Sequence, residues 1–107
     1  MTIPSWDPSQ LDERVGAGVP VLAELRADWC PQCNAQEAAL TRVALHYGDR
    51  VAIGTIDVGE HPAVPDEFSI QGLPAFLLYT RGRLHRTETG YRRAPQLQAL
   101  LDDLLSQ

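Results

Sequence analysis

Trp29-Cys30-Pro31-Gln32-Cys33 stands where an apolar run, Val19 to Ala27, gives way to a helical pattern that continues to Tyr47. These are the only two cysteines in the chain. A cysteine pair at a strand-to-helix junction is a redox arrangement before it is anything else. On a helix, positions i and i+3 share a face, with Cβ atoms about 5–6 Å apart, within adjustment distance of a disulfide. Cys30, at the helix start, meets free backbone N–H groups and the positive end of the dipole, and both favour a thiolate. A lowering of about 1.5 pKa units corresponds to roughly 2 kcal/mol, within reach of such sites. Cys33, one turn in, is expected to be more buried and to resolve the mixed disulfide that Cys30 forms.

Two other uses of the pair compete. Cys30-x2-Cys33-x12-His46 matches three ligands of a zinc finger, but the fourth should fall at residues 50–52, which are Arg50, Val51 and Ala52. No metal site is expected. A purely structural disulfide is disfavoured because a four-residue loop contributes little chain entropy.

With 107 residues the chain has the size of one domain, 1–107, with a single core. Met1-Thr2-Ile3-Pro4 opens no signal-peptide pattern, and no apolar stretch reaches about 18 residues. The expectation is a soluble, cytoplasmic monomer that does not engage membranes. A net charge of −5, with no basic cluster beyond Arg81-Gly82-Arg83 and Arg92-Arg93, argues against nucleic-acid binding.

On either side of the cysteines the pattern alternates between periods. Pro4 allows residues 2–6 only an edge-strand role. Asp7-Pro8 reads as N-cap and first position of a helix ending near Val15, with Trp6 as a packing anchor. Val19 to Ala27 reads as a central strand, interrupted by Glu24 and Arg26 on one face. Glu24 is either half of a surface ion pair or buried behind the cysteines. Leu40, Val43, Ala44 and Tyr47 form a helical core stripe that stops at Gly48. A second strand spans Val51 to Ile56, and a short helix Val64 to Phe68. A third strand, Ala75 to Tyr79, turns at Arg81-Gly82 into an exposed strand, Arg83 to Thr89. Pro95 opens a last helix with Leu97, Leu100, Leu101 and Leu104 inward. The predicted architecture is α/β: a central mixed sheet flanked by helices on both faces.

Ala27-Asp28-Trp29-Cys30-x-x-Cys33, Ile56-Asp57, Gly72-Leu73-Pro74 before an apolar strand, and Gly90 before the final helix resemble thioredoxin over essentially the whole chain. The resemblance implies the thioredoxin fold and a protein disulfide reductase working by dithiol-disulfide exchange. It implies Cys30 as nucleophile, Cys33 as resolving thiol and Pro74 as a cis-proline. Trp29, Pro31, Gln32, Leu73, Thr89 and Gly90 would form the substrate-contact surface, with a substrate segment pairing its backbone with Leu73. Glu24 matches the family's buried acid and would exchange a proton with Cys33. No cofactor is bound in such proteins. NADPH supplies electrons through a flavin-dependent thioredoxin reductase, which is a partner alongside disulfide-containing protein substrates.

Several positions depart from the family pattern. Pro31-Gln32 replaces the usual Gly-Pro, and the N–H of Gln32 is expected to help hold the Cys30 thiolate, giving a more oxidising couple. Arg26 replaces an aromatic residue and either pairs with Glu24 or adds positive potential to Cys30. Ile53 replaces the lysine that often neighbours the buried acid, and Ala38 a helix-kinking proline. The alternatives to a general reductase are a specialised, more oxidising thiol-disulfide oxidoreductase and a thioredoxin-fold binding or chaperone module with an idle pair.

Overall fold

The computed structural model describes residues 3–107. Four strands and four helices follow in the order α1 (Pro8–Gly16), β1 (Val21–Arg26), α2 (Pro31–Tyr47), β2 (Ala52–Asp57), α3 (Ala63–Glu67), β3 (Ala75–Thr80), β4 (Arg83–Thr89) and α4 (Ala94–Leu105). The sheet order is β2-β1-β3-β4. β1 runs parallel to β2 and antiparallel to β3, and β3 is antiparallel to β4. The sheet is therefore mixed: a βαβ crossover through α2 on one side, a hairpin on the other.

The expected first edge strand is reduced to a single bridge. Ser5 pairs with Thr55, the Trp6 N–H donates to the Thr55 carbonyl at 2.6 Å, and the Thr55 N–H donates to that of Pro4 at 2.9 Å. Pro4 has no N–H to extend the ladder. Thr2, assigned to that strand from sequence, lies outside the described residues.

Local chemistry accounts for the element ends. The Asp7 carboxylate accepts from the Gln10 N–H at 2.8 Å, and the Gln10 side chain accepts from the Asp7 N–H at 2.9 Å, a reciprocal cap on α1. Arg81 and Gly82 both have positive φ, 55° and 77°, the conformation of a tight hairpin turn between twisted strands.

The core lies on both faces of the sheet. One cluster packs Trp6, Leu11, Ala23, Leu25, Ile56, Val64 and Leu77 under α1 and α3. The other packs Leu22, Leu40, Val43, Phe76, Leu97 and Leu101 under α2 and α4. β1 serves both, because alternate side chains point to opposite faces. Cys30 and Cys33 belong to the first cluster, whereas Leu40 and Val43 of the same helix belong to the second. The start of α2 thus reaches around the sheet end where β1 stops, and this places the cysteines there.

Candidate active site

β1 ends at Arg26, and five residues later, at Pro31, the chain is helical. Pro31 occupies the first helical turn, where its missing N–H is no loss. Cys30 is the N-cap, in extended conformation, and its Sγ accepts the Cys33 N–H at 3.2 Å. A thiol thus fills the place usually held by a serine or aspartate oxygen. The two cysteines are joined as a disulfide, with Cα atoms 5.2 Å apart. Among the described residues, the backbone donor that reaches Cys30 Sγ belongs to Cys33. The expectation that the Gln32 N–H helps hold the Cys30 thiolate concerns the reduced form, whereas the Cys30 sulfur here is half of a disulfide.

The opposite wall comes from the segment entering β3. The Leu73–Pro74 peptide bond is cis. The Pro74 carbonyl accepts the Gly90 N–H at 2.7 Å, and Ala75 pairs with Thr89. Gly72 packs so close to Thr89 that an added Cβ would sit 3.1 Å from its methyl group. Between this wall and the cysteines lies a groove of about 390 Å³, lined by Trp29 and Cys30, by Ile70, Gly72 and Leu73, and by Val58 and Pro65.

Trp29 and Leu73, singled out from sequence, thus meet Cys30 in one groove. Pro31 and Gln32 are exposed at the start of α2, and Thr89 and Gly90 back the Leu73–Pro74 wall without lining the groove. Val58, Pro65, Ile70 and Gly72 were not anticipated. Ile70 and Gly72 flank Leu73 closely enough to have been suspected; Val58 and Pro65 carry no sequence signal beyond being apolar.

The two sulfurs are unequal. Cys30 is 6% exposed and lines the groove; Cys33 is fully buried. Trp29, 73% exposed, stands beside Cys30 as an uncovered aromatic surface.

Glu24 is 1% exposed, which rules out the surface ion pair. Its Oε2 has no hydrogen-bond partner. Burial pushes its carboxyl up from 4.5 to about 7; the Arg26 guanidinium pulls down less strongly, and Glu37 adds a smaller push upward. Arg26 does not pair with Glu24. Its guanidinium donates to Asp28 at 3.1 Å and to Asn34 at 2.8 Å, tying the end of β1 to the first turn of α2. Glu24 opens on a polar cleft of about 420 Å³ shared with Arg26, Asp28, Glu37, Thr41 and Thr55.

A family profile described as Thioredoxin matches residues 3–103. Among curated proteins, a thioredoxin of Acidithiobacillus ferridurans is 35% identical over 86 residues, covering 80% of each chain. A thioredoxin of Alicyclobacillus acidocaldarius is 33% identical over 86 residues, covering 80% of this chain and 82% of that one. Among solved structures, a chloroplastic thioredoxin z superposes with a TM-score of 0.88 at 22% identity, over 100% of this chain and 97% of that one, a likeness of fold. With the profile, the relatives and the paired cysteines in agreement, the chain belongs to the thioredoxin family and is a thiol-disulfide oxidoreductase.

Proposed function

We propose that this protein reduces disulfides in protein substrates. One observation carries the reading: of the two sulfurs, only that of Cys30 opens on an apolar groove, while that of Cys33 is buried behind it. The Cys30 thiolate, held by the Cys33 N–H and the dipole of a 17-residue helix, attacks one sulfur of the substrate disulfide. That bond breaks, and the leaving thiolate takes a proton from solvent. Cys33 gives its proton to the Glu24 carboxylate and attacks the Cys30 sulfur, releasing the second substrate thiolate. Two electrons pass to the substrate, and the Cys30–Cys33 disulfide closes. A carboxyl with a pKa of about 7 is a suitable base, because near neutral pH it both accepts and returns a proton.

The groove wall fits an extended segment. Leu73 precedes the cis bond, and its backbone is proposed to pair briefly with the substrate chain, with Trp29, Thr89 and Gly90 bordering the contact. Main-chain pairing of this kind gives breadth of substrate rather than sequence specificity. NADPH recharges the pair through a flavin-dependent thioredoxin reductase, in a reducing compartment such as the cytoplasm. The protein works as a monomer. Among the described residues, its exposed large apolar side chains besides Trp29 are Val19, Leu45, Leu84 and Tyr91, on separate elements.

Insulin reduction with dithiothreitol tests the reading. The wild type should accelerate precipitation of the insulin B chain, and Cys30→Ser should abolish the acceleration. Equal rates for the two would leave only a binding role for the fold.

A further inference from the structure

Gln36 is a fully buried polar side chain on α2, three residues after Cys33. Its Nε2 donates to the Arg92 carbonyl at 2.7 Å, and its Oε1 accepts the Arg92 N–H at 2.8 Å. One amide thus satisfies both backbone groups of a residue 56 positions away, as a neighbouring strand would. Arg92 lies in the connection between β4 and α4, which has no ladder of its own. The Arg92 guanidinium reaches back to the Gly90 carbonyl at 3.3 Å and to Glu88 at 3.3 Å. Gly90 in turn donates its N–H to the Pro74 carbonyl. A continuous chain of hydrogen bonds therefore runs from the cysteine-bearing helix, through Gln36 and Arg92, to the wall that carries Leu73 and Pro74.

An apolar side chain at position 36 would fill the space but leave the half-buried N–H and carbonyl of Arg92 without these partners. A glutamine here therefore does more than pack. We propose that Gln36 is a positioning residue. It sets where the Gly90–Arg92 segment sits against α2, and so shapes the border of the protein-substrate groove without touching either sulfur. The proposal rests on the reading of this protein as a reductase of protein disulfides.

The test compares wild type, Gln36→Leu and Gln36→Glu on insulin and on a small aromatic disulfide, with amide exchange followed at Arg92. Gln36→Leu should raise KM for insulin about five- to tenfold, the change that one net hydrogen bond or slightly more corresponds to. Its kcat and its rate with the small disulfide should stay within about twofold. Exchange at Arg92 should accelerate. Gln36→Glu keeps the acceptor and should fall between wild type and Gln36→Leu; if the leucine variant does not fold, the glutamate variant decides by the same split. Parallel losses on both substrates would overturn the proposal, as would an unchanged KM for insulin with fast exchange at Arg92. A wild type that reduced the small disulfide but not insulin would sink the protein-substrate reading and this inference with it. An active wild type with indifferent variants would sink the inference alone.

Discussion

Glu24 is the residue where burial and chemistry pull against each other. Its carboxyl titrates near 4.5 when exposed and near 7 in the folded protein, because desolvation outweighs the attraction of Arg26. Below about pH 4.5 the group is neutral in both states and exacts no penalty. Above about pH 7 it is charged in both, and the folded state bears the full penalty, roughly 3 kcal/mol. Stability should therefore fall as pH rises from about 5 to about 7. Glu24→Gln should flatten that slope and be the more stable protein at pH 8, read by urea denaturation across pH. The same variant should slow resolution of the mixed disulfide by about tenfold or more near neutral pH, the scale on which a positioned base acts. A second residue-level outcome concerns Cys33. Cys33→Ser removes the only resolving thiol while leaving the Cys30 groove intact, so covalent complexes with substrate should accumulate and be visible on non-reducing gels.

α2, β2 and the β3–β4 hairpin each carry a feature that a substitution can read. Gly54, in β2, lies flat against the Trp6 ring, and a Cβ there would overlap the ring carbons. The ring is buried and backed by the α1-side core, so it cannot easily retreat. Gly54→Ala should cost about 1–3 kcal/mol, as overpacked cores do, seen as a lowered midpoint of thermal or urea unfolding. The hairpin turn is the opposite case. Arg81 holds a left-handed conformation, φ 55°, that suits asparagine or glycine better. Arg81→Asn should stabilise the protein by roughly 0.5–1 kcal/mol, even though an exposed hydrogen bond to the Gln107 carbonyl is lost. α2 itself is one helix with two tasks. Its first turn holds sulfur chemistry at the sheet end, and its later turns bury Leu40, Val43 and Tyr47 against the sheet.

Across the whole molecule, two apolar clusters on opposite faces of one sheet hold the fold, and the disulfide crosslinks only four residues at its end. Closing so short a loop restricts the unfolded chain by about 2 kcal/mol at most. Reduction should therefore lower stability by no more than that amount and leave the far-ultraviolet circular dichroism unchanged. Oxidised and reduced protein compared in urea would check it. A catalyst that must alternate between the two forms needs this tolerance.

Most of the architecture was legible in residue order, because it rests on local chemistry. Asp7-Pro8, Pro31 and Gly48 mark helix ends through caps and dihedral limits, Arg81-Gly82 marks the hairpin, and the apolar periods mark which faces are buried. Paired cysteines at a strand-to-helix junction announced redox chemistry for the same reason: their geometry is set within one turn. What residue order left open involves partners far apart in the chain. From sequence Glu24 still had a surface ion pair as its alternative, and it took Phe76 and Thr55 on the flanking strands, with α2 above, to desolvate it. Arg26 chose Asp28 and Asn34 over Glu24, and Val58 and Pro65 joined the groove. Gln36 found Arg92 across 56 residues. Helix caps, turns and hydrophobic periods are short-range and are written in neighbouring residues. Burial of a charge and the closing of a groove depend on which distant surfaces the packed sheet brings together.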